Sequence, residues 1–166
     1  MRVGIVALMA AYVLSQFYRA FLAVLSPVLK AEIGATAENL ASASGLWFLA
    51  FALMQIPVGA ALDRIGPRLT AAVLLAVGGA GAAVFAMATG PSAINLAMVL
   101  IGIGCAPVLM ASYYIFARSL APAVFGTLAG VMIGVGSLGN IAASLPLSLA
   151  VAAIGWRGAM WGLSAV

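Results

Sequence analysis

Apolar residues run almost unbroken along this chain, in stretches separated by short clusters of charged or turn-forming residues. The stretches cover about residues 3–29, 39–62, 69–88, 93–117 and 124–153, and a last one opens at residue 158 and reaches 166. A helix crosses the hydrocarbon core of a bilayer with roughly 20 predominantly apolar residues. The pattern therefore predicts an all-α membrane protein with five complete transmembrane helices and the start of a sixth. A transmembrane barrel would show alternation over segments of about 10 residues. These stretches are instead continuous and rich in Ala and Leu.

The interruptions predict where the chain turns. Pro27 marks a break near the end of the first span, and a polar loop with Lys30, Glu32 and Glu38 follows. Pro57 predicts a kink near the end of the second span, since proline removes one helical hydrogen bond and its ring clashes with the preceding turn. Asp63 to Arg68, Thr89-Gly90-Pro91-Ser92, the Pro122 loop and Gly155-Trp156-Arg157 are the remaining turns. Trp156 suits the aromatic belt at a membrane surface.

Composition narrows the function classes. The chain is 66% hydrophobic and 6% charged, against about 25% charged in an ordinary soluble domain. It has no histidine and a single cysteine, Cys105, which excludes Cys/His metal sites, disulfide scaffolds and His-based catalysis within it. No cofactor, metal or enzymatic activity is expected. The net charge of +4 comes from scattered residues rather than a basic cluster, so nucleic acid is not an expected partner. The first apolar run is too long for a signal peptide and is read as a retained helix.

Charge also predicts orientation. With the N-terminus in the cytoplasm, Arg2, Arg64, Arg68 and Arg118 lie inside with Asp63 as the only acid. Lys30 and Arg157 then lie outside with Glu32 and Glu38. That asymmetry obeys the positive-inside rule and fits a bacterial inner membrane.

The loop after the second span reads Gly59-x-x-x-Asp63-Arg64-x-Gly66-x-Arg68. In residue type, spacing and context it resembles the signature loop between the second and third helices of major facilitator superfamily transporters. The resemblance implies one amino-terminal six-helix half, residues 1–166, of a twelve-helix fold built on inverted three-helix repeats. It also implies a gate: Gly59, Asp63, Arg64, Gly66, Arg68 and Arg118 would form a charge-and-dipole latch closing the cytoplasmic side. Asp63 can pair with one of these arginines or sit at a helix N-terminus, while Gly59 and Gly66 allow close backbone approach. The alternative is that the arginines only set topology.

Arg19 stands in the middle of the first span, where a charged residue costs at least about 2.5–3.5 kcal/mol on insertion scales. It is expected to face a watery cavity or a partner, and no other span carries an acid. A guanidinium in a wet cavity suits a carboxylate or phosphate; the structural alternative is an Arg satisfied by helix carbonyls or by an acid elsewhere. Tyr12, Ser15, Gln16, Ala23 and Ser26 share its helical face. Tyr18-Arg19-x-Phe21, followed by Pro27, resembles the first helix of the organophosphate antiporter branch of the superfamily, where the corresponding Arg binds phosphate. Tyr113 and Asn140 are the other expected cavity residues, with Tyr114 and Gln55 behind them. Each could instead be an ordinary interhelical hydrogen bond.

Glycines at helical spacing read as close-packing faces or as flexible points: Gly130, Gly134, Gly136 and Gly139 on the fifth span, Gly78, Gly79 and Gly81 on the third, Gly102 and Gly104 on the fourth. The chain departs from proton-coupled relatives in having Met98 before Gly102 and Gly136-Ser137 at the centre of the fifth span, which disfavours drug:proton antiport. The expected function is alternating-access transport of a small anionic solute, with Arg19, Tyr12, Gln16, Tyr113 and Asn140 at the substrate. The expected partners are the lipid bilayer, the solute, and a missing carboxy-terminal half or second chain. The competing class is a non-transporting membrane assembly or interaction protein, or an inactive fragment.

Overall fold

A computed structural model describes residues 2–165; the Arg2 and Val3 side chains, including the Arg2 charge counted toward topology, and Val166 lie outside the described residues. Among those described there are seven helices and no strand: α1 Arg2–Ile33, α2 Ala37–Leu53, α3 Gln55–Arg64, α4 Pro67–Ala86, α5 Pro91–Ser119, α6 Pro122–Ala142 and α7 Leu145–Ser164. α2 and α3 stack end to end, so five helical rods are long and apolar enough to cross a membrane: Gly4–Ile33, Ala37–Arg64, Pro67–Ala86, Pro91–Ser119 and Pro122–Ala142.

Local chemistry sets most of the ends. Thr36 caps α2 in a reciprocal box, its hydroxyl accepting from Asn39 N and its own N–H donating to Asn39 Oδ1. Proline opens α4, α5 and α6, at a position whose N–H has no helical acceptor in any case. Gly66 turns into α4 at φ +96°, a left-handed conformation that a side chain would strain.

Two expectations change and one is met. α1 does not break at Pro27 but continues to Ile33, with Leu25 and Leu29 on either side fully buried. The second span does break, at Met54, three residues before Pro57, where the proline ring and the missing N–H act. The stretch 124–153 is not one helix: α6 ends at Ala142 and α7 starts at Leu145. Pro146 cannot donate to the preceding turn, and Ser144 Oγ instead donates to Ile141 O at 2.6 Å. A second interruption falls at Gly155, φ +73° and ψ 160°, after which the helix resumes at Trp156.

The helices pair crosswise. α1 packs on α6, α2 on α5, and α4 on both α5 and α7. Counted as spans, first meets fifth, second meets fourth and third meets sixth, the reciprocity produced by two inverted three-span units. Glycines set the distances. A Cβ added at Gly102 would lie 2.5 Å from Trp47 O, one at Gly104 would strike Gly78 on α4, and one at Gly139 would strike Val13 O on α1. Gly130 and Gly134 have open space around them, so the close-packing face on α6 is confined to Gly136 and Gly139. Lipid is as apolar as a leucine side chain, so close contact of this kind, rather than escape from solvent, drives association between spans.

Trp156 is the other correction. It is fully buried rather than displayed at a membrane surface. Its ring meets Phe85 edge-on at 6.0 Å, and its N–H donates to Glu32 Oε2 at 2.6 Å.

Candidate functional site

The first span carries Tyr12, Gln16 and Arg19 on one helical stripe that continues through Ala23, and the structure divides it between two neighbours. At the level of Tyr12, α6 closes on the stripe: Gly136 lies against the Tyr12 ring, which is buried. Gln16 Nε2 donates to Tyr12 Oη at 2.6 Å. Tyr12 shares its cluster with Tyr113 of α5, and Tyr113 packs edge-on to Phe125 at 5.8 Å. Ser15 is buried beside the Cys105 thiol of α5. Two of the predicted positions, Tyr12 and Ser15, are therefore packed into helix seams rather than open.

One turn further, the stripe opens. Arg19 is exposed, as are Ala23 and Pro27 beyond it. Its guanidinium carbon lies over three rings of α2, 5.6 Å from the Trp47 centroid, 5.8 Å from Phe48 and 6.0 Å from Phe51. It makes no hydrogen bond and no ion pair among the described residues, so helix carbonyls do not satisfy it. Aromatic faces hold a guanidinium through their quadrupole, by about 0.5–1 kcal/mol each when exposed and more when desolvated. They position the cation without neutralising it, and its N–H donors stay free.

The ring shelf is anchored at its base. Trp47 is 1% exposed and stacks on Phe51 at 5.3 Å with 10° between planes, while Phe48 meets it edge-on at 4.8 Å and is 49% exposed. The Trp47 indole N–H is buried without a partner. These three aromatics are not among the residues that sequence reasoning selected. The signal was present: Trp47 and Phe51 lie four apart, with Phe48 beside them, on a span without charge.

Asn140 is exposed on α6. It follows Gly139, whose added Cβ would lie 2.9 Å from Gln16 Cβ, so it stands at the level of Gln16. Gln55 of α3 donates to Phe51 O of α2 across the Met54 break, and Ser112 donates to Val108 O within α5. Neither reaches another span.

At the end of the bundle where α3 meets α4, Asp63, Arg64 and Arg68 are all exposed. Asp63 forms no ion pair or side-chain hydrogen bond among the described residues, and it stands in the last turn of α3 rather than at a helix N-terminus. Arg118 lies over the Tyr114 ring at 4.3 Å. Neither Gly59 nor Gly66 has an atom within 4 Å of an added Cβ, so Gly66 serves the turn and no close approach is made at either. A cavity of about 920 Å³ opens between α1, α4 and α5 at this end. Arg68 and Ser119 are the polar side chains in its lining, and no residue near Arg19 contributes to it.

No curated protein matches the sequence. The family model described as Major Facilitator Superfamily matches residues 8–166. With five apolar rods, crosswise pairing and an arginine on α1 without an ion pair among the described residues already established, that match places the chain among multi-pass membrane transporters: it belongs to the Major Facilitator Superfamily.

Proposed function

We propose that this chain is the amino-terminal half of a secondary active transporter that moves a small anionic solute by alternating access. The observation that carries the reading is Arg19: exposed, set on three aromatic rings, and without an acid to neutralise it among the described residues. A charge at that depth is costly unless water or a counterion meets it, and a solute anion supplies the counterion. A carboxy-terminal half, or a second chain, covers the face on which Arg19 opens. Asn140 and Gln16 line the same space, with Tyr12 and Tyr113 supporting it from the seam between α1, α5 and α6.

The Asp63 loop acts as the gate. The acid lies in the last turn of α3, where the helix dipole disfavours a negative charge, so a helix N-terminus or arginine of the other half offers it a better partner. Arg64, Arg68 and Arg118 hold this end in the cytoplasm of a bacterial inner membrane.

Binding tests the reading directly. The purified chain in lipid nanodiscs is expected to bind a carboxylate or phosphate, and Arg19→Ala to abolish that binding. Equal binding by the variant overturns the assignment.

A further inference from the structure

Arg19 is a single positive charge in an otherwise uncharged layer. Every other charged residue of the chain stands within a few residues of a helix end or, for Arg157, of the Gly155 interruption in α7. A monoanion seated on Arg19 leaves the layer neutral; a phosphate dianion leaves an uncompensated negative charge among apolar residues, which low-dielectric surroundings penalise.

Apart from the exposed amide of Asn140 on α6, the surroundings offer few hydrogen-bonding groups for a polyol. Gln16 is bonded to Tyr12, and along the open side Arg19 is followed by Ala23 and Pro27. What the surroundings offer is aromatic area: Phe48 is half exposed, and Phe51 stacks on a Trp47 whose backbone is clamped by Gly102. A polar head at the guanidinium brings the rest of the ligand against those rings.

Resting on the anion reading above, we infer that the ligand of this site is a monocarboxylate with an aromatic or other apolar body, and that Phe48 and Phe51 determine its specificity. The carboxylate takes two guanidinium N–H donors side by side, the geometry that Arg provides and Lys does not. The apolar body lies along Phe48, and the rings that hold Arg19 from one side face the ligand from the other. Trp47 is the fixed base of this shelf.

The test is equilibrium binding to the purified chain in nanodiscs with three probes: benzoate, acetate and inorganic phosphate. Signal that survives Arg19→Ala is subtracted as partition into lipid. Benzoate is expected to bind about tenfold more tightly than acetate, the size of one aromatic contact, and more tightly than phosphate. Phe48→Leu and Phe51→Leu are expected to erase the benzoate advantage, read in each variant as the ratio of benzoate to acetate affinity. Phosphate binding more tightly than benzoate, in an Arg19-dependent way, overturns this inference and leaves the anion reading standing. Equal affinity for benzoate and acetate in the unaltered chain also overturns it. Absence of Arg19-dependent binding by all three probes overturns both.

Discussion

The indole N–H of Trp156 donates to the carboxylate of Glu32 across 2.6 Å, joining residues 124 positions apart. The bond ties the end of α1 to the resumed half of α7. Beside it, Arg157 stacks on the Trp156 ring at 4.2 Å and donates to both Ala86 O and Ala88 O at 2.9 Å, closing the end of α4. One short segment after Gly155 thus holds the ends of two other spans.

Trp156→Phe keeps the ring packing against Phe85 and removes only the donor. It is expected to destabilise the chain by about 1–2 kcal/mol, as loss of a hydrogen bond to a charged acceptor does. Trp156→Ala, which also empties a fully buried site, is expected to cost about 3–5 kcal/mol. Unfolding in mild detergent under rising denaturant orders the two; unchanged stability of Trp156→Phe would mean that the hydrogen bond contributes nothing, and equal losses that the ring packing adds nothing to it.

Arg157→Ala leaves the carbonyls of Ala86 and Ala88 without the cation that caps them. A loss of about 1–3 kcal/mol is expected. Amide hydrogen exchange is expected to rise in the last turn of α4 before it rises elsewhere.

The glycines of α6 are expected to separate sharply. Gly139→Val places a side chain where the Val13 carbonyl of α1 already stands and is expected to cost at least about 1–3 kcal/mol by overpacking. Gly134→Ala meets open space and removes a poor helix former, so it is expected to be neutral or to stabilise by up to about 1 kcal/mol. Thermal unfolding in nanodiscs distinguishes the two positions.

Asp63→Asn is expected to change the stability of this chain by less than about 0.5 kcal/mol, the usual range for an exposed side chain without partners. If Asp63 works as a gate, the same substitution in the assembled transporter shifts the accessibility of a cysteine placed beside the loop. A large stability loss in this chain alone would assign Asp63 a structural part within it.

The amino-acid sequence by itself determined the number of apolar spans and most of the turns between them, because both depend on local matters. Span length follows from bilayer thickness, and proline and glycine mark most of the turns, although Pro27 lies inside α1. The family was legible for a related reason: the Gly59 to Arg68 loop is contiguous, so type and spacing are visible together. Arg19 was legible as the one charge inside a span.

Which face of each helix meets which neighbour was decided only by the tertiary structure. In a soluble helix the polar face identifies the buried one by contrast; here both faces are apolar, and lipid and protein interior look alike in sequence. Nothing local distinguishes Gly139, pressed against Val13, from Gly134, which meets nothing. Nothing local brings Glu32 to Trp156, or sets Arg19 over Trp47, Phe48 and Phe51 rather than over helix carbonyls. Those relations depend on the crosswise pairing of spans, and they arise when close contact between small residues fixes which backbones can approach.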